Sequence, residues 1–181
     1  VAVNIAAGDI DVFKNNDKFH IDKISSLRKR YGVLPDQVNL EITETTYGNI
    51  GKVMDENIRS LSEDGYSFSL DDYGTGYSNL QRVTKLPLRI IKIDKSLVDD
   101  MNTLTGMSIM RNTVRMMKDI QMELVVEGVE TEETLAILDS MGCDFIQGFY
   151  FSPPLPEEKF LAFIEKHNHV LPKSDSYKKI S

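Results

Sequence analysis

Tryptophan is missing from this sequence, cysteine occurs once and histidine only three times. The lone Cys143 cannot form an internal disulfide, so a reducing compartment, the cytoplasm, fits the chain best. Cys143 reads as a small buried residue rather than a nucleophile. His20, His167 and His169 lie in helix or tail patterns away from strand ends, which gives zinc no convergent set of ligands. No apolar run approaches the roughly 20 residues that span a bilayer, and no charged-then-apolar leader precedes the first strand pattern. Positive charge is scarce too: 21 Lys and Arg against 28 Asp and Glu leave a net charge of −7. That balance argues against a protein that coats duplex nucleic acid. It is compatible with a small phosphorylated ligand, because bound cations invert the local field.

What the chain does have is a regular alternation. Its 181 residues are 41% hydrophobic and 27% charged, enough for one domain with a sizeable core, assigned to residues 1–172, and a polar tail over 173–181. Strand patterns fall at residues 1–5, 38–43, 67–70, 90–93, 123–126 and 145–148, and helical patterns at 19–31, 52–64, 78–85, 105–119, 131–141 and 156–166. The chain opens directly on a strand pattern with no initiator methionine, so a piece of a longer protein is expected. Gly32, Gly65 and Gly142 follow helices, where a left-handed cap is wanted. Thr131 is placed to cap a helix whose first turn carries Glu132 and Glu133. Strict strand–helix alternation calls for parallel strands with right-handed crossovers. Met101, Met107, Met110, Met116, Met117 and Met122 crowd one helical pattern and its flanks, and are assigned to core packing.

Each strand pattern ends near a polar or charged group: Asn4, Glu41 and Glu44, Asp71-Asp72, Lys92 and Asp94, Glu127 and Glu130, and Gln147. In a (β/α) barrel those ends share one rim, where the active site lies. In an open sheet they would spread along an edge, with a crevice only at the switch point. Alternation along the second strand puts Val38, Leu40 and Ile42 on one face and Asn39, Glu41 and Thr43 on the other, so Glu41 is the inward acid. Glu44 falls just past that strand, as a brace for a loop or a solvated acid. Asp71 and Asp72 converge on one site only where their strand breaks into the Gly74-Thr75-Gly76 loop, the alternative being an Asx-type turn. Glu41, Asp71, Asp72 and Glu127 with Asn4 form an oxygen-rich set that could not all stay ionised together without a cation. Oxygen-only ligands select Mg2+, Mn2+ or Ca2+, and two such ions about 4 Å apart form a clamp for phosphodiester hydrolysis. Lys92 alternates against Ile91 and Ile93 and therefore points inward, with Asp94 as its expected partner.

In these motifs the sequence resembles the EAL-domain family of bacterial cyclic-di-GMP phosphodiesterases. The matching stretches are Val3-Asn4-Ile5, residues 40–44, residues 71–78, Lys92-Ile93-Asp94, Glu127-Gly128-Val129-Glu130-Thr131 and residues 147–151, in the family's order and over nearly the whole chain. The resemblance implies a TIM-type (β/α) barrel, incomplete here, with about six of eight βα units. It implies metal-dependent hydrolysis of one phosphodiester bond of cyclic di-GMP to linear pGpG. By the same likeness Asn4, Glu41, Asp71 and Asp72 are metal ligands, with Asp71 bridging two ions. Glu127 is the general base or a metal ligand, and Lys92 holds the attacking water or the phosphate. Glu44 anchors the loop after the third strand, Asp94 and Glu130 are supporting acids of the rim, and Gln147 lies on the substrate side. Thr75 and Gly76 belong to the loop over residues 73–80 that links metal binding to dimerisation. One or two Mg2+ or Mn2+ ions are implied as cofactors, with Ca2+ inhibitory. The implied partners are cyclic di-GMP, a second copy in a homodimer, and fused sensory or GGDEF-type domains. Two positions depart from the common pattern, Ala6 in place of serine and Pro153 in place of lysine. The strand bearing the Glu-Ala-Leu motif lies upstream of Val1, so the chain by itself is expected to be inactive. The alternative reading is a non-catalytic cyclic-di-GMP receptor or a regulatory dimerisation module.

Overall fold

Among the described residues six strands form one sheet, every neighbouring pair runs parallel, and the order across the sheet is the order along the chain. The computed structural model describes residues 2–4, 19–43, 52–75 and 84–167. The elements run β1 (Ala2–Asn4), α1 (Phe19–Arg30), β2 (Asn39–Thr43), α2 (Lys52–Glu63), β3 (Ser67–Tyr73), β4 (Leu88–Ile93), α3 (Lys95–Asp99), α4 (Leu104–Asp119), β5 (Glu123–Val126), α5 (Glu132–Met141) and β6 (Phe145–Ile146). These lie in one compact unit, Val1–Tyr150; a second unit, Phe151–Ser181, carries α6 (Glu157–His167). A sheet wound in one direction has no switch point, so its strand ends share a single rim, as in a barrel.

The sheet has two chemically distinct faces, and alternation produces them. Val38, Leu40, Ile42, Phe68, Leu70, Ile91, Ile93, Leu124 and Val126 are buried together with Ile58 and Leu61 of α2, Met110, Val114 and Met117 of α4, and Leu138 of α5. The intervening residues, Asn39, Glu41, Ser69, Asp71 and Lys92 among them, fall on the other face. Met101, Met110 and Met117 are buried and Met107, Met116 and Met122 pack against the same core, so the methionines are packing residues.

Local chemistry sets the element ends. Thr131 caps α5 by accepting from the Thr134 N–H, and Gly142 closes it at φ +77, a conformation that costs a residue with a Cβ. Thr103 caps α4 in the same way through Gly106. Helix α3 was not expected from hydrophobic period, being only five residues long; it is started by Asp94, whose carboxylate accepts from the Ser96 N–H at 2.9 Å. Strand β3 runs three residues beyond its expected end at Leu70, because a bulge absorbs the two acids. Glu44, Gly76 and residues 78–83 of the helix expected over 78–85 lie outside the described residues.

Candidate active site at the strand ends

The bulge in β3 shapes the site. Leu70 pairs with Ile91 and Tyr73 with Ile93, so three steps on β3 oppose two on β4. The extra residue is accommodated by Asp72 at φ +57, a left-handed conformation that aspartate tolerates better than most side chains. The Asp72 carbonyl then accepts from the Thr75 N–H at 3.2 Å and the Thr75 hydroxyl at 2.9 Å, which fixes the turn leaving the strand. Asp71 therefore stays on the polar face while the chain turns away after it.

Lys92 stands at the centre of the polar face. Its Nζ lies 3.1 Å from Glu41 Oε1, 2.9 Å from Asp71 Oδ1 and 2.8 Å from Glu127 Oε1. Three strands deliver these acids: β2 carries Glu41, β3 carries Asp71, and Glu127 directly follows β5. The side chains are 8–20% exposed, so solvent does little to screen them. Burial alone would lower the Lys92 pKa, but the pull of the Glu127, Asp71 and Glu41 carboxylates outweighs it and holds the ammonium above its ordinary range. Lys92 is thus a fixed positive charge and not a proton acceptor.

Asp94 is not the partner of Lys92. Adjacency by two residues suggested it, but the capping bond to Ser96 engages its carboxylate and is the leading cause of its lowered pKa. Its own N–H donates to the Tyr73 carbonyl at 3.2 Å, joining the ends of β3 and β4. Beneath the cluster, the buried Ser69 hydroxyl donates to Asn39 Oδ1 at 2.8 Å, so the floor of the polar face is hydrogen-bonded as well. Sequence reasoning had not singled out that pair.

The Glu127 loop is held by backbone. The Glu127 N–H donates to Ile93 O at 3.0 Å, Val129 N–H to Gln147 O at 3.1 Å, Gln147 N–H to Val126 O at 2.8 Å and Tyr150 N–H to Val129 O at 3.0 Å. Gln147 acts here through its main chain, and its side chain is exposed. Glu130 is exposed and pairs with Lys95. Asn4 ends β1 with its Cα aligned to that of Glu41 on β2, which places it on the same rim.

The donor set suits a hard divalent cation. Three carboxylates surround one ammonium, leaving a net charge of −2, and Asp71 Oδ1 is buried without a directed hydrogen bond although Lys92 Nζ is 2.9 Å away. Among the described residues no three Asp, Glu, His or Cys side chains are spaced to hold an ion by themselves. Glu41 and Asp71, with Asp72 next along β3 and Asn4 at the matching register position of β1, are the residues that could contribute ligands.

The family model described as "EAL domain" matches residues 3–154. The cyclic di-GMP phosphodiesterase RocR of Pseudomonas aeruginosa is 34% identical over 143 residues, 78% of this chain and 36% of RocR. The chain spans 20% and 19% of two further curated relatives. The cyclic-di-GMP complex of the MucR phosphodiesterase, also of Pseudomonas aeruginosa, superposes with a TM-score of 0.78 at 29% identity, covering 88% of this chain and 63% of that one. The manganese and cyclic-di-GMP complex of BlrP1 from Klebsiella pneumoniae gives a TM-score of 0.72 at 33% identity, covering 84% and 38%, and BlrP1 is also solved with calcium. Its neighbours being EAL structures, the one-way-wound sheet is an incomplete TIM-type barrel. The chain belongs to the EAL domain family.

Proposed function

We propose that this domain hydrolyses one phosphodiester bond of cyclic di-GMP to linear pGpG with the help of Mg2+ or Mn2+, as part of a larger signalling protein. The observation that carries the reading is the meeting of Glu41, Asp71 and Glu127 around Lys92 on the rim of the sheet. A bound divalent ion would supply Lewis-acid polarisation of the phosphate and a more acidic attacking water. Glu127 takes a proton from the attacking water as the water oxygen joins phosphorus; the bond from phosphorus to the ribose 3′ oxygen breaks, and that oxygen leaves as a hydroxyl by accepting a proton from solvent. Lys92, charged throughout, orients the phosphate and offsets the negative charge that builds on it. Glu41 and Asp71, with Asn4 and Asp72, would hold the ion, and Thr75 fixes the turn behind Asp72. Glu44 is assigned to anchoring the loop after β3, Gly76 to that loop itself, and Gln147 to the substrate side.

Among the described residues no helix is long and apolar enough to cross a membrane; a cytoplasmic setting, a homodimer and fusion to sensory or GGDEF-type domains complete the proposal. The test is chromatography of cyclic di-GMP incubated with the full-length parent protein in Mg2+ or Mn2+. One linear product, pGpG, lost on adding chelator, supports the reading. Saturable binding by calorimetry without product would make the domain a receptor instead.

A further inference from the structure

Two lysines three residues apart face two glutamates three residues apart. Lys92 meets Glu127, and Lys95 meets Glu130. The first rung is largely shielded, with its side chains 12% and 20% exposed; the second stands in solvent, with its side chains 46% and 51% exposed. The second is more than a surface ion pair. The Lys95 methylenes fill the space over Gly128 that any Cβ there would occupy, and Gly128 is at φ +75, where only glycine sits without strain. Lys95 itself is fixed, because it opens α3, whose cap Asp94 is tied by its N–H to Tyr73. The stem of Lys95 therefore lies across the turn Glu127-Gly128-Val129-Glu130, and its ammonium pins the far end. The inner side of that turn is also moored, through the Glu127 N–H on Ile93 and the buried Val129 on Gln147.

We propose that Lys95 and Glu130 are a positioning pair: an outer latch that holds the Glu127 turn against the end of β4 so that the Glu127 carboxylate stays on Lys92. The inference rests on the phosphodiesterase reading for its kinetic consequence but not for its structural one. A misplaced base costs turnover more than binding, because ground-state binding does not need the carboxylate aligned.

The test, made in the full-length parent protein, compares Lys95→Arg, Lys95→Met, Lys95→Ala and Lys95→Glu with the charge-reversed double variant Lys95→Glu/Glu130→Lys. Relative to the unaltered protein, Lys95→Ala should lower kcat by about tenfold with KM changed by less than about twofold, since both stem and charge are lost. Lys95→Met, keeping the stem, should lose about threefold, and Lys95→Arg should stay within about twofold. The double reversal should recover at least about half of what the single reversal Lys95→Glu loses. Hydrogen exchange should speed by about tenfold at the amides of residues 128–131 in Lys95→Ala and remain unchanged at β4 and β5. Lys95→Ala with kcat within about twofold and unaltered exchange at the turn would overturn the latch. If the unaltered protein forms no pGpG, the proposed function fails, and the exchange arm alone decides the latch.

Discussion

Replacing Lys92 by methionine removes one charge and little volume, and it exposes what that charge does. The three carboxylate oxygens lie 2.8–3.1 Å from Nζ, so no two are more than about 6 Å apart. At that separation and an effective dielectric of about 20, each pair of ionised carboxylates repels by about 3 kcal/mol. Three such pairs cannot persist with the ammonium gone, and the cluster must take up a proton or pull apart. We expect Lys92→Met, in chelator at pH 7.5, to lose about 3–5 kcal/mol of stability, the usual cost of leaving buried charge unpaired. The raised Lys92 pKa means that its contribution in the unaltered protein is complete below the ordinary lysine value and is lost only as pH rises through the higher folded one. Urea denaturation of the two proteins at pH 7.5 measures the loss. A loss under about 1 kcal/mol would refute the picture of Lys92 as the counter-charge.

Other residues give independent checks. Asp94→Ala should cost about 1 kcal/mol by uncapping α3, and Asp94→Asn much less. Because hydrogen bonding to Ser96 lowers the Asp94 pKa, the cap's contribution is present above the ordinary carboxylate value and is lost as pH falls through the lower folded one, which acid titration of the two variants compares. Gly148→Ala would drive a methyl into the Val129 backbone and should destabilise the protein by at least about 2 kcal/mol in urea denaturation, with turnover falling as the Glu127 turn shifts. Burial pushes the Cys143 thiol up to about 11, so iodoacetamide at pH 8 should modify it at least about tenfold more slowly in the folded protein than in urea. The same shift makes this group's contribution complete below the ordinary thiol value and eroded as pH rises toward 11, since the unfolded chain ionises first.

The strands were legible as short apolar runs between helical patterns, and in β2 and β4 the side-chain period also separated the two faces. Val38, Leu40 and Ile42 against Asn39, Glu41 and Thr43 fixed which acid points inward, and the same period carried Lys92 onto the polar face. Convergence of Glu41, Asp71 and Glu127 followed from one assumption, that all strand ends share a rim, and the parallel, sequential sheet supplies it. What was not legible depended on details that period does not encode. A bulge extends β3 through both acids to Tyr73, where the pattern suggested a stop at Leu70. Helix α3 is too short to show an amphipathic repeat, and its only signal was Asp94 followed by Lys95 and Ser96, a capping cue read instead as an ion-pair partner. Lys95 was hidden for another reason: it works by draping its stem over a glycine, whereas Gln147, named among the strand-end groups, makes its hydrogen bonds here through its main chain.

The central claim is that Glu127 is the base of a phosphodiesterase whose charge cluster Lys92 organises. The turnover of cyclic di-GMP by Glu127→Gln in the full-length parent, beside the unaltered parent in Mg2+ or Mn2+, tests it most directly. The account predicts a loss in kcat of at least about a hundredfold with the fold intact. Turnover left unchanged by that substitution would contradict it.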